Sequence, residues 1–328
     1  MSMPSGSCHN KSLNNLLAVC NSMLPDLTSW DIASLVFKML WYLGVIAAVG
    51  GLFSLWLLAD TSRRGLNWSL SYSLAGSLLG FHAVILYFLT QVGAANSAGL
   101  SGMLDWSMIR FYLELEVGET SLMRMAVFLL LVLGQIGVLA YLTRLTRPPG
   151  QAFFRVFYRL NAAALLLLLL SFQATGHVAP LSLMARVALV LHVLGVTLWL
   201  GSLLPLWRAT RIYDSEQAQL LLSQFSGRAT IMVTVLLATA AYLLTQLLSS
   251  PAEFLNSAYG VSLVLKVTLV CALLSLAALN RWWLVPLLTK PGAMLHMRRS
   301  ISLEMVFGLL TLGMTVFLST VIGPASHG

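Results

Sequence analysis

The sequence predicts an all-α polytopic membrane protein, a bundle of eight transmembrane helices with both termini on the periplasmic side. Three observations predict this fold class. The chain of 328 residues is 58% hydrophobic and only 9% charged, it contains eight long apolar stretches, and its basic residues concentrate in alternate loops. A soluble domain carries about 25% charged residues, so this chain has too few to cover a soluble surface.

The apolar stretches are long enough to cross a lipid bilayer as helices. A spanning helix needs about 20 mostly apolar residues. No stretch alternates apolar and polar residues as a barrel strand does, and a helix satisfies every backbone group within such a run. The predicted spans are 35–59, 71–93, 123–143, 156–174, 183–206, 228–248, 259–279 and 302–322.

The distribution of lysine and arginine predicts the orientation. Loops 60–70, 144–159, 207–228 and 280–301 together hold 13 of the 19 basic residues. Loops rich in Lys and Arg stay in the cytoplasm, so these four loops are predicted to be cytoplasmic and both termini to lie on the opposite, outer side. The net charge of +8 therefore reflects membrane topology, and we expect no nucleic-acid partner.

Three regions follow from this topology. Residues 1–33 are predicted to be a polar periplasmic N-terminal extension, and 34–147 an N-terminal transmembrane half with helices 1–3. Residues 148–328 are predicted to be a C-terminal transmembrane core with helices 4–8. Within the outer loop 94–122, near-helical spacing of apolar residues over 103–116 predicts a short interfacial helix.

Several polar or sulfur-containing side chains are predicted at a similar depth in the outer half of the bilayer. Polar groups inside a membrane are costly and are by default functional candidates. A rise of about 1.5 Å per residue places His192 about 14 Å deep, His82 about 16 Å deep and Met314 about 12 Å deep. The same count places Gln135 and Cys271 about 18 Å deep.

This layer predicts a metal site that is entered from outside. His177 and Met184 lie above the layer, at the outer mouth. Imidazole together with sulfur ligands suits copper, especially Cu(I). The bland interpretation is that each histidine only hydrogen-bonds to a neighbouring helix, and that Met314 and Cys271 only pack.

A second interpretation uses the same histidines as axial ligands of haem b. Two imidazoles from different helices, here His82 and His192, can ligate a haem for electron transfer or copper reduction. Gly76 and Gly80 near His82, and Gly195 near His192, would admit a flat macrocycle. These glycines would equally permit close helix packing. The sequence contains no enzyme signature, and we expect no enzyme activity.

Buried charges need separate explanations. Lys38 is expected to snorkel to the interface, and Lys266 to pair with the outer carboxylate of Glu253. Arg124 and Arg186 are candidates to line an outer vestibule. Glu304 is expected at the start of the last helix, where the helix dipole favours a carboxylate.

An ordered set of short motifs resembles a known family. The set comprises Gly176-His177, Arg186, Leu191-His192 and Trp199 to Leu206, then Phe225 to Arg228, Tyr259-Gly260 with Leu265-Lys266, Asn280-Arg281 with Pro286, Arg299-Ser300 with Glu304, and upstream Gly118 with Arg124. Over about residues 30–325 the chain resembles the copper resistance D (CopD) family.

The resemblance implies a bacterial inner-membrane protein that takes copper from the periplasm. The family's histidines map onto His177 and His192, and less directly onto His82. It further implies a periplasmic copper carrier of the CopC type as a partner. The Cys8-His9 extension departs from the family pattern.

Overall fold

The computed structural model describes residues 27–58, 63–96, 98–145, 149–173, 182–247 and 258–322. Within these ranges every regular element is helical, which confirms the predicted fold class. A short 3-10 helix, Gly99–Leu104, lies in the outer loop. The α-helices are α1 (Ser29–Leu58), α2 (Arg63–Asn96), α3 (Trp106–Leu113), α4 (Glu116–Arg144), α5 (Gln151–Leu170), α6 (Leu183–Ile212), α7 (Ser215–Leu247), α8 (Ala258–Leu279) and α9 (Ala293–Phe317).

All of these α-helices except α3 are long and apolar enough to cross a membrane, which makes eight among the described residues. They correspond one to one with the predicted spans. Most are longer than predicted, because the helices continue beyond the apolar core into polar and charged residues. The largest difference is α7, which begins at Ser215 rather than at 228, and α9 begins at Ala293 rather than at 302.

The outer loop contains the predicted short helix, as α3. Asp105 caps its N-terminus, because the carboxylate accepts hydrogen bonds from the backbone amides of Ser107 and Met108. Trp106 and Phe111 on this helix are exposed. A short helix with exposed aromatic side chains is typical of a segment that lies in the membrane interface.

Helices α1, α2 and α4 form one tightly packed group. Gly44 on α1 faces Gly80 on α2 so closely that a Cβ at Gly44 would lie 2.5 Å from the Gly80 Cα. A Cβ at Gly80 would also lie 2.2 Å from the ring of Phe128 on α4. Small residues at a helix crossing let the backbones approach, which is the main source of packing energy in lipid.

A buried hydrogen-bond network joins the same three helices. The Gln135 side chain on α4 is 1% exposed, and its amide donates to the Ser73 hydroxyl over 2.8 Å. Ser73 on α2 donates in turn to the carbonyl oxygen of Ala48 on α1 over 2.7 Å. Gln135 therefore has a structural role at the depth where the sequence suggested a functional one.

Helix α1 also packs against α6 and α9, so it joins the early and late helices. The α1–α6 contact is centred on Gly50 and Gly201. A Cβ at Gly50 would lie 2.1 Å from the Gly201 carbonyl oxygen, and one at Gly201 would lie 2.4 Å from the Ile46 carbonyl oxygen. These contacts join the two predicted halves of the chain. The division into halves at residue 147 stays a prediction.

Helix α8 ends in a π-helical turn, Asn280–Leu284. The backbone amide of Val285 donates to the Asn280 carbonyl oxygen over 2.9 Å, the i to i+5 spacing of a π-helix. Pro286 follows immediately and cannot continue a regular helix, since it has no amide hydrogen. The wider turn places Asn280 against α9, where its side chain meets Glu304.

The basic loops meet at one end of the bundle. Arg208 at the end of α6 stacks over Trp68 near the start of α2, at 4.2 Å from the ring centroid. Arg298 on α9 donates two hydrogen bonds to the Thr210 carbonyl oxygen, over 3.1 and 2.6 Å. The placement of this end in the cytoplasm stays a prediction.

Candidate metal site

His192 lies on the face of α6 that packs against α7. Its ring is half-buried, and its Nδ1 lies 3.2 Å from the Leu236 carbonyl oxygen and 3.3 Å from the Thr239 hydroxyl oxygen. A carbonyl oxygen only accepts, so Nδ1 carries the proton and donates. In the neutral imidazole the lone pair is then on Nε2, the state in which histidine binds a metal.

The contacts around this histidine are those of an oriented ring. Thr239 donates its own hydroxyl proton to the backbone of α7, over 2.8 Å to Val235 and 3.0 Å to Leu236, so its oxygen lone pair can accept from His192. Ala185, Ala188 and Leu243 pack α6 against α7 nearby. In metal-binding histidines, the N–H of the ring nitrogen that does not bind the metal typically donates a hydrogen bond to a carbonyl oxygen in this way, which fixes the ring orientation.

Lys266 on α8 lies close enough to His192 to act on it electrostatically. The sequence predicted instead that Lys266 would pair with Glu253, which lies outside the described residues. Depth counting places the two residues at a similar level: Lys266 lies 8 residues from the start of α8 and His192 9 residues from the start of α6. An ammonium group here opposes a metal cation at His192.

His82 lies on an exposed face of α2. Its Nδ1 donates to the carbonyl oxygen of Leu78, one turn earlier on the same helix, over 2.8 Å. This ring therefore hydrogen-bonds within its own helix, whereas that of His192 bonds to α7. The pairing of the two histidines, as copper ligands or as haem ligands, stays a prediction.

The glycines near these histidines pack against neighbouring helices. A Cβ at Gly76 would lie 2.4 Å from the Ala48 amide nitrogen on α1, and α1 and Phe128 fill the space beside Gly80. At Gly195 a Cβ would meet Leu236 and Met232 of α7 at 3.5 Å. Of the two roles considered for Gly76 and Gly80, close helix packing is the one that these contacts favour.

The remaining predicted ligands are distributed over the molecule. Met184, in the first turn of α6, is 69% exposed, and Met314 is half-buried on α9. His177 lies outside the described residues. Cys271 is exposed on α8, so it does not pack in the core. Among the described residues no group of three or more His, Cys, Asp or Glu side chains is arranged to hold a metal ion.

Arg124 is buried between helices and does not line an open vestibule, whereas the vestibule role of Arg186 stays a prediction. Arg124 is 5% exposed; it donates to the Ser171 hydroxyl over 3.0 Å and lies 4.5 Å from the ring centroid of Trp41. Lys38 donates to the Ser319 carbonyl and Thr320 hydroxyl oxygens, each over 3.1 Å. Each cation therefore links its helix to a neighbouring segment, and the snorkelling of Lys38 to the interface stays a prediction.

Glu304 is also placed differently from the prediction. Because α9 begins at Ala293, Glu304 lies in the fourth turn rather than at the helix start. Its side chain is 4% exposed. The helix dipole acts mainly within the first turn, so it does not explain a carboxylate at this position.

The eight apolar helices and the polar groups between them define a polytopic α-helical membrane protein. Residues 219–318, which include most of α7 and all of α8 and α9, match the family model described as CopD, copper resistance protein D. The match confirms the resemblance over this part of the chain and associates it with copper resistance. No match was found among curated proteins or among solved structures.

The matched range includes only part of the predicted site. Met314 and Lys266 lie within residues 219–318, together with Thr239, the partner of His192 on α7. His82 and His192 lie before the matched range.

Proposed function

We propose that the chain transports copper across the membrane, with His192 as a copper ligand inside the bilayer. The observation that carries this proposal is the hydrogen bond from the His192 Nδ1 to the Leu236 carbonyl, which leaves the Nε2 lone pair for a metal ion. The copper resistance match over α7 to α9 supplies the choice of metal. Imidazole is a suitable ligand for copper.

A transport site must release its ion as well as bind it. Lys266 contributes to release, because its positive charge near His192 weakens the binding of any cation. A site with one imidazole and exchangeable sulfur ligands would bind copper less tightly than a closed four-ligand cage. We propose Met314 and His82 as further ligands in the same layer, in keeping with their depth along the helices.

The proposed direction is inward from the periplasm. Met184, exposed in the first turn of α6, and His177 in the preceding loop would receive copper at the outer mouth. His192 lies about 12 Å further along the same helix. A periplasmic carrier of the CopC type would deliver the ion, and the membrane would be the bacterial inner membrane.

Copper accumulation in cells tests this function. Cells that express the wild-type chain are expected to accumulate more copper than cells with an empty vector. His192→Ala is expected to reduce accumulation to the vector level. The matched control is His296→Ala, which removes an exposed histidine from the first turn of α9 and should retain wild-type accumulation at equal amounts of membrane protein.

The same cells distinguish transport from the haem b alternative. We expect the purified protein to contain copper after loading and to show no Soret band. A Soret band that disappears in His82→Ala or His192→Ala would instead support a haem-binding electron carrier or copper reductase. Accumulation in the His192→Ala strain equal to wild type would refute the transport route through this residue.

A further inference from the structure

A second polar site lies between the end of α8 and the first half of α9, away from His192. Glu304 is 4% exposed, Asn280 is 8% exposed and Ser300 is 6% exposed. The Asn280 Nδ2 donates to the Glu304 Oε1 over 2.7 Å. Glu304 lies 11 residues from the start of α9, which is about 16 Å along the helix axis.

Two oxygen atoms beside this carboxylate have no hydrogen-bond partner among the described residues. They are the Asn280 Oδ1 and the Ser300 Oγ. Asn280 already contacts Glu304 through the other end of its amide. Ser300 precedes Glu304 by four residues on α9, so the two side chains are neighbours on one face of the helix. Buried polar atoms are rarely left without a partner, and each such case needs an explanation.

The adjacent arginines are engaged elsewhere. Arg281, next to Asn280, donates to the Ser226 carbonyl oxygen over 2.7 Å. Arg298 donates to the Thr210 carbonyl oxygen, and Arg299 is exposed. A buried carboxylate whose described partner is a neutral amide is costly in lipid unless its charge is neutralised.

The backbone is irregular at this place. Asn280 is the first residue of the π-helical turn that ends α8, and a second π-helical turn, Leu318–Ile322, follows α9. π-helical turns are rare in proteins. Here the turn holds the Asn280 side chain in hydrogen-bonding distance of Glu304.

We propose that Glu304, Asn280 and Ser300 form a binding site for Na⁺. The ligands are three oxygen donors, the chemistry that hard cations prefer over copper. One carboxylate and two neutral oxygens balance a single positive charge. A bound Na⁺ neutralises the Glu304 carboxylate and supplies a partner to both the Asn280 Oδ1 and the Ser300 Oγ.

A proton accounts for fewer of these atoms. A protonated Glu304 still accepts from the Asn280 Nδ2 through its carbonyl oxygen, and it has one proton to donate, either to the Asn280 Oδ1 or to the Ser300 Oγ. The other of these two oxygens would still receive no hydrogen bond from Glu304. Sodium binding therefore satisfies the polar groups of this site more completely than protonation does.

Thermal unfolding of the purified full-length chain in detergent tests the proposal. Sodium chloride is titrated against choline chloride at constant ionic strength, so that only the identity of the cation changes. A ligand that binds only the folded state raises its stability in a saturable way. We expect the melting temperature of the wild type to rise by a few degrees and then level off with Na⁺.

Variants locate the effect. Glu304→Gln and Asn280→Ala are expected to lose the Na⁺-dependent shift. Glu114→Gln is the matched control, because Glu114 is an exposed carboxylate at the end of α3, and it should keep the full shift. A shift of wild-type size in Glu304→Gln would overturn the assignment.

The wild type alone also decides the question, even when a variant fails to fold. Identical melting curves in sodium and choline chloride would refute a Na⁺ site. Stabilisation by acid in place of sodium would show that a proton neutralises Glu304, which likewise contradicts the proposal. Neither result depends on copper, so this test is separate from that of the transport function.

Discussion

Replacement of Gly201 by alanine is expected to separate α1 from α6. The added Cβ would lie 2.4 Å from the Ile46 carbonyl oxygen and 2.7 Å from the Gly50 Cα. Both are backbone atoms of α1, so no side chain can rotate to make room. Overpacking of this kind costs about 1–3 kcal/mol. The better helix propensity of alanine offsets at most about 1 kcal/mol.

The matched control is Gly137→Ala on α4, where a Cβ would meet nothing within 4 Å. Here only the propensity term acts, so we expect no loss of stability and a gain of up to about 1 kcal/mol. Both variants are unfolded in mixed detergent micelles while circular dichroism monitors the loss of helix, which measures the difference in their free energies of unfolding. Equal stability of Gly201→Ala and Gly137→Ala would show that the α1–α6 contact is looser than described.

Three further predictions concern single side chains. Lys266→Met should tighten Cu(I) binding in a chelator competition by about 1–2 kcal/mol, on the order of tenfold, because it removes a positive charge that acts on His192, whereas Lys266→Arg should leave it unchanged. Gln135→Leu should lower the free energy of unfolding by about 1–2 kcal/mol in the same denaturation assay, because the buried Ser73 loses a partner. Hydrogen bonds from the Ser107 hydroxyl and the Met108 amide hold the pKa of Asp105 below its usual value. The stabilisation of α3 by Asp105 is therefore fully present above the ordinary Asp pKa and is lost as the pH falls through the lowered pKa. Limited proteolysis of the outer loop should become faster in that pH range, and Asp105→Ala should be cleaved fast at every pH.

The eight membrane helices could be predicted from the sequence because their signal is simple. A run of about 20 apolar residues has few alternatives in a bilayer. Helix ends were predicted less well, because the helices extend beyond the apolar residues into polar ones. Residues 293–301 include His296, Arg298, Arg299 and Ser300, yet they form the first turns of α9. For that reason the sequence did not predict that Glu304 lies in the fourth turn of the helix.

The candidate site could be predicted only in part. Depth follows from residue counting, and it placed His192 and His82 in one layer. The direction in which each side chain points does not follow, because helices that are apolar all round give no periodic signal. In the structure His192 faces α7 and His82 lies on an exposed face. The electrostatic effect of Lys266 on His192 required the same missing information.

Small residues had a meaning that the sequence left open. Gly76 and Gly80 were compatible both with a cofactor cleft and with close helix packing. The contacts with Ala48 and Phe128 favour packing. Gln135 was similarly ambiguous until its hydrogen bonds to α2 were known. The roles of these residues depend on which helices contact each other, and this cannot be predicted from the local sequence.

The central claim is that His192 binds copper within the membrane, and copper stoichiometry after Cu(I) loading tests it most directly. Purified wild type, His192→Ala and His296→Ala are loaded in the presence of one competing chelator, and bound copper is measured per chain. We predict that His192→Ala binds one copper ion fewer than wild type and that His296→Ala binds as many. An unchanged stoichiometry in His192→Ala would contradict the account.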